Sequence, residues 1–177
     1  MQILFKVAQF WMPFNTLRRS PLGLEINVDL TPIVLPNRSS PTDNQRMNEN
    51  KNDFAKLSLS ASMLGNLAQL GYLQMTAIQA ASLPVTLAGK DLIAQASTGS
   101  GKTAAFGIPL VEKILPADFA VQAMILCPTR ELADQVAQQI KMYAKYTQLR
   151  SAVVFGGMDM KPQTLELKKG VEVLVAT

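Results

Sequence analysis

The chain has 177 residues, 48% of them hydrophobic and 17% charged, enough for one domain with a core but too short for two full α/β domains. With 17 Lys+Arg against 13 Asp+Glu the net charge is +4, compatible with a polyanionic partner without requiring one. No histidine occurs, which excludes a histidine base and a histidine-ligated metal, and the single cysteine, Cys127, excludes an internal disulfide and fits a reducing compartment.

Met1–Phe14 is apolar but broken by Lys6, Gln9 and Pro13, and it lacks the framing of a signal peptide, so a loosely structured tail is expected there. No apolar run reaches the roughly 18 residues of a membrane span, and no membrane association is expected. Residues 31–53 set Pro32, Pro36 and Pro41 among Asn, Ser and Asp, the composition of a linker. The expected division is a poorly structured extension over 1–53 and a folded unit over 54–177. Met47 would suit a natural start, with residues 1–46 not native to the functional protein.

From Phe54 onward the texture is that of packed α/β structure. Leu64, Leu67, Ala68 and Leu70 stand at helical spacing and predict a helix over 60–70 that stops at Gly71. A second short helix is expected over 78–87, limited by Pro84 and Gly89. Asp91–Ala96 is a brief apolar run that meets a glycine-rich turn, and helical texture resumes over 102–115 despite Pro109. Val121–Cys127 reads as a buried strand and Thr129–Tyr146 as a long amphipathic helix. Residues 151–155 and 171–176 read as strands, with a helix over 164–169 between them. Strands separated by helices predict an α/β fold with a parallel sheet flanked by helices.

The strongest local feature is Ala96-Ser97-Thr98-Gly99-Ser100-Gly101-Lys102-Thr103, with strand texture before it and helix texture after it. That is the context of a phosphate-binding loop. Gly99 and Gly101 allow a tight turn whose N–H groups face an anion, and the helix from Lys102 adds its positive end. Lys102 would reach the β- and γ-phosphates, and the Thr103 hydroxyl would sit on Mg²⁺. Ser97, Thr98, Gly99, Ser100, Gly101, Lys102 and Thr103 are therefore the nucleotide-holding candidates. Lys102 and Thr103 are the catalytic ones and Thr103 the metal ligand, with a nucleoside triphosphate, which the resemblance below implies to be ATP, and Mg²⁺ as the expected cofactors. The general pattern opens with glycine where this chain has Ala96, so the match is to a variant.

The segment 96–103 resembles the first motif of the DEAD-box RNA helicases, whose loop usually begins with alanine. Gly71-Tyr72-Leu73-Gln74-Met75-Thr76-Ala77-Ile78-Gln79 resembles that family's Q motif, with Met75 and Ala77 where the family often has proline. Phe54 lies 79 − 54 = 25 residues before the glutamine, as the family pattern asks. Pro128-Thr129-Arg130-Glu131-Leu132 resembles motif Ia, and Gly156-Gly157 the glycine doublet that follows it. The strings TGSGKTAAFG, CPTRELADQVA and GYLQMT look closest to the DbpA-like bacterial branch.

The resemblance covers 54–177 and implies a RecA-like phosphate-loop domain truncated at its C-terminus. It implies that Gln79 selects adenine and that Phe54 stacks on the base; a solvated glutamine and a core aromatic are the alternatives. It places Pro128, Thr129, Arg130, Gly156 and Gly157 on the RNA backbone, without base readout. A solvated Arg130 and a plain tight turn at the glycines are the alternatives there. Glu131 reads as a helix N-terminal acid and Cys127 as a small core residue.

The family's hydrolysis chemistry also needs an Asp-Glu-Ala-Asp strand and a second RecA-like domain with arginine fingers. No Asp-Glu pair occurs in the 177 residues, and Thr177 looks like the first residue of a Thr-Pro-Gly-Arg motif. The implied function is the ATP-binding portion of a cytoplasmic ATP-dependent RNA helicase that acts on structured or ribosomal RNA and is inactive by itself. A catalytically inactive nucleotide- or RNA-binding module is the alternative, and the oligomeric state is left open. An apolar sheet edge exposed by missing strands would make the chain marginally stable or aggregation-prone.

Overall fold

Ser60 and Thr76 start the first two helices. The Ser60 hydroxyl accepts the Met63 amide at 3.2 Å and caps α1 (Ala61–Gln69). Gln79 Oε1 accepts the Thr76 amide at 2.9 Å, half of a capping box, at the start of α2 (Ala77–Leu87). This helix runs through Pro84 instead of ending there. The ring removes a single N–H, and buried Ile78 and Leu83 hold the helix in place on either side.

The chain then forms β2 (Leu92–Ala96), α3 (Lys102–Lys113), β3 (Ala123–Leu126), α4 (Arg130–Tyr143), β4 (Ser151–Val154), α5 (Met160–Lys168) and β5 (Val173–Ala176). In this computed structural model the described residues are 3–7, 52–116 and 120–177. The Met47 start and all of the expected 31–53 linker except residues 52 and 53 lie outside them. Helix α5 begins four residues before the expected 164. The Asp159 carboxylate accepts the Lys161 amide at 3.0 Å, and Pro162 sits in the first turn, where its missing N–H costs nothing.

Strands β3, β5 and β4 form a parallel sheet in that order, with Ala123 and Ser151 both opposite Val173. Val173 and Val175 of the central strand are fully buried. The strand leading into the phosphate loop is not hydrogen-bonded to this sheet. β2 instead pairs antiparallel with β1 (Ile3–Val7), in a register that sets Ile3 opposite Ala96. This differs from the loosely structured tail expected there: the backbone of a five-residue segment, apolar except for Lys6, pairs with that of β2.

Leu67, Leu83, Ile108, Val136, Ile140 and Tyr143 form the centre of the core with the valines of β5. Helix α3 is buried on most of its circumference, and at Gly107 it meets α4 closely. A Cβ there would lie 3.0 Å from Ile140 Cδ1 and from the Tyr143 ring. Strand β3 is not the buried strand expected over 121–127: Ile125 packs into the core, but the alternating side chains Met124 and Leu126 point to the other face of the sheet and remain 61% and 69% exposed. Beneath β5, fully buried Glu172 holds Arg150: Nη2 donates to Oε1 at 2.9 Å and the Arg150 amide to Oε2 at 2.7 Å. Among the described residues no helix is long and apolar enough to cross a membrane.

Candidate nucleotide and nucleic-acid site

Strand β2 ends at Ala96 and α3 begins at Lys102, so the intervening loop delivers its backbone to a helix N-terminus. Gly101 caps that helix in the left-handed region, at φ 90°, which an L side chain rarely adopts. Ser97, Thr98 and Gly99 are exposed at the rim. Lys102 is buried, and its ammonium donates to the carbonyl of Ala96 at 2.7 Å and to that of Ser97. Burial lowers its pKa from the ordinary lysine value.

The residues present fit a phosphate chain. The Ser100 hydroxyl is buried without a hydrogen-bond partner among the described residues, beside a lysine whose present partners are two backbone carbonyls. An anion here would meet a positive helix end and an ammonium free to exchange carbonyls for phosphate oxygens. Thr103, half-buried in the first turn of α3, adds a hard hydroxyl oxygen of the type Mg²⁺ accepts. Among the described residues no group of three or more His, Cys, Asp or Glu could hold a metal ion.

The Q-motif segment is stitched to this loop from above. Gln79 is 1% exposed, and while its Oε1 holds the Thr76 amide its Nε2 donates to the Gly101 carbonyl at 3.2 Å. The Thr76 hydroxyl donates to the Ser100 carbonyl at 2.8 Å. Gln79 is thus neither a solvated glutamine nor free to read a base without exchanging its present bonds. Thr76 was not singled out by the sequence reading, although the Thr-x-x-Gln capping pattern was there to find it.

Phe54 opens a short 3₁₀ turn (Phe54–Lys56) and is 4% exposed. Its ring stands edge-on to Tyr72 at 6.2 Å, and Tyr72 in turn edge-on to Tyr143 at 6.1 Å, with the two hydroxyls 2.9 Å apart. This is the environment of a core aromatic, and the structure does not bring Phe54 out to where a base could stack.

At the C-terminal ends of β3 and β4 the remaining candidates converge. Thr129 caps α4, its hydroxyl accepting the Leu132 amide at 3.3 Å. Arg130 Nη2 donates to the Gly156 carbonyl, and a Cβ on Gly157, at φ 73°, would lie 2.8 Å from the same nitrogen. Pro128, Thr129, Arg130, Gly156 and Gly157 are all exposed. Glu131 is exposed as well, its carboxyl held below the usual range by its own backbone amide, the Thr129 hydroxyl and Arg130. Cys127 is buried and its thiol pushed up by desolvation, a core residue and not a nucleophile.

A family model described as DEAD/DEAH box helicase matches residues 76–177, more than half of the chain. The chain belongs to the DEAD/DEAH box helicase family. It is 43% identical over 124 residues to the DEAD-box ATP-dependent RNA helicase CshA of Geobacillus kaustophilus, covering 70% of this chain and 27% of that protein. The CshA of Bacillus cereus is 42% identical over 124 residues, 70% of this chain and 24% of its own length. Among solved structures, a DEAD box protein from the hyperthermophile Methanococcus jannaschii superposes with a TM-score of 0.66 at 38% identity, over 71% of this chain and 34% of that one. A hypothetical ATP-dependent RNA helicase from Sulfolobus tokodaii gives 0.57 at 31%, over 67% and 34%. The parallel sheet flanked by helices is therefore the RecA-like arrangement of DEAD-box proteins, and the chain spans about a quarter of the length of the curated relatives it matches.

Proposed function

We propose that this chain is the ATP-binding portion of an ATP-dependent RNA helicase that couples hydrolysis to duplex unwinding in the full-length protein. The observation that carries the reading is the double stitch of Thr76 and Gln79 onto Ser100 and Gly101, which joins an adenine-selecting segment to a phosphate loop. On nucleotide entry Lys102 exchanges the carbonyls of Ala96 and Ser97 for β- and γ-phosphate oxygens. Gln79 turns its amide toward the adenine edge, for which it has one acceptor and two donors. The Thr103 hydroxyl would help to hold Mg²⁺, which would neutralise developing charge in phosphoryl transfer. Arg130 and the amides of the α4 N-terminus and of the Gly156–Gly157 loop hold RNA phosphates without reading bases.

The substrate of this reading is structured or ribosomal RNA in the cytoplasm, the latter consistent with a single reduced cysteine. The strings TGSGKTAAFG, CPTRELADQVA and GYLQMT support a DbpA-like placement within the family. Titration of the chain with a fluorescent ATP analogue tests the nucleotide site: wild type binds and Lys102→Ala loses at least tenfold in affinity. Equal binding by the two proteins would overturn it.

A second reading is a nucleotide- or RNA-binding module without turnover, in keeping with a Lys102 ammonium already held by the carbonyls of Ala96 and Ser97. On that reading the purified chain shows no RNA-stimulated ATP hydrolysis. Turnover abolished by Lys102→Ala would refute it.

A further inference from the structure

The loop that carries Gly156 and Gly157 leaves β4 at Phe155, and Phe155 is held from α5. Gln163 Oε1 accepts the Phe155 amide at 2.8 Å, and Gln163 Nε2 donates to the Phe155 carbonyl at 3.3 Å and to the Asp159 carbonyl at 3.1 Å. A side-chain amide that pairs with both the N–H and the C=O of one residue stands in for a neighbouring strand. The geometry of the sheet explains why it is needed. The Val154 carbonyl accepts the Thr177 amide at 3.2 Å on the β5 side, so the backbone groups of Phe155 face the opposite, outer edge of β4. The next residue, Gly156, gives its carbonyl to Arg130, and Gly157 follows at φ 73° within van der Waals reach of the same guanidinium.

We propose that Gln163 is a positioning residue of the nucleic-acid site. It extends the order of β4 by one residue, fixes the direction in which the glycine doublet departs, and thereby sets Arg130 and the doublet amides where an RNA phosphate meets them. This rests on the RNA-binding reading of Arg130, Gly156 and Gly157. Helix α5 has no buried residue of its own, so the effect of Gln163 is local to the loop and separable from the core. A glutamate at this position would keep an acceptor for the Phe155 amide but set a second oxygen against the carbonyls of Phe155 and Asp159. An alanine would remove all three bonds.

The test uses the 177-residue chain, a fluorescent single-stranded oligouridylate of about twelve nucleotides, and anisotropy titrations at fixed salt. Gln163→Ala is expected to raise Kd by about three- to tenfold, the net worth of about one neutral hydrogen bond, because only part of the order supplied by its three bonds is passed on to binding. Gln163→Glu is expected to fall at or below that loss, and ATP-analogue affinity and thermal midpoint to stay at wild-type values. Amide hydrogen exchange should quicken at residues 155–158 and not in α1. Wild-type RNA affinity in Gln163→Ala beside a clear loss in Arg130→Ala would overturn the positioning role and leave the RNA reading standing. So would exchange that quickens throughout α1–α4, the mark of a general structural role. No RNA binding by the wild-type chain would overturn the RNA reading, and this role with it.

Discussion

Gln79 and Gly101 meet through a side-chain amide and a backbone carbonyl 3.2 Å apart, so the residue expected to recognise the base also grips the loop expected to hold the phosphates. Gly101 has no room for more than a hydrogen. Its φ of 90° and the Gln79 amide beside it both act against a side chain.

Gly101→Ala should consequently lower ATP-analogue affinity at least tenfold. The left-handed conformation alone costs a non-glycine residue about 1–2 kcal/mol, and the methyl group would also collide with Gln79 Nε2. Combining it with Gln79→Ala relieves the collision but neither the backbone strain nor the loss of the adenine contact, so the double variant should regain part of the lost thermal stability and none of the ATP-analogue affinity.

Gly107→Ala tests the contact between α3 and α4. Alanine gains about 1 kcal/mol of helix propensity over glycine, while overpacking costs about 1–3 kcal/mol. The Tyr143 ring cannot easily give way, since its hydroxyl is held by Tyr72 and Gln139, each at 2.9 Å. Net destabilisation of about 1 kcal/mol is expected, and more for Gly107→Val, read as a shift of the urea midpoint at unchanged m-value.

Arg130→Ala should weaken RNA binding and reduce the slope of log affinity against log salt by about 1, the signature of one lost phosphate contact. Equal slopes for variant and wild type would remove Arg130 from the RNA surface.

Glu172 sets an acid limit on stability. Burial raises its pKa, but the Arg150 side chain and backbone amide outweigh that and hold it below its ordinary value of 4.5. A carboxyl whose folded pKa is depressed contributes stability that is complete above the unfolded value and lost as pH falls through the folded one. Thermal midpoints should accordingly drop below about pH 4.5, and Glu172→Gln should flatten that drop while costing about 1–3 kcal/mol at pH 7.

Much of this was legible in the residues themselves. Glycines, a serine and a lysine at fixed spacing between an apolar run and a helix predict a strand, a tight turn and a helix start, and the structure has β2, a left-handed Gly101 and α3 there. The strands over 123–126, 151–154 and 173–176 follow from short apolar runs between helices. Other features turn on partners that local pattern does not reveal. The pairing of β2 with Ile3–Val7 joins positions about ninety residues apart. Gln79 could be named from its motif, but not the carbonyl it holds. For Phe54, spacing is equally satisfied by an aromatic over a base and by one inside the core, and only its packing against Tyr72 separates them. The residues over 164–169 show only the later part of α5, because its start depends on the Asp159 carboxylate that caps the first turn, where Pro162 sits.

The absent side chain at Gly107 has a mechanical meaning as well. Where two helices touch through flexible side chains, a small push on one is taken up by rotamer changes before it reaches the other. At Gly107 that yielding layer is missing on one side, and the backbone of α3 bears directly on Ile140 and Tyr143. Helix α3 begins at Lys102 and α4 at Arg130, so the loops that open the two rods share a stiff bearing with almost no play.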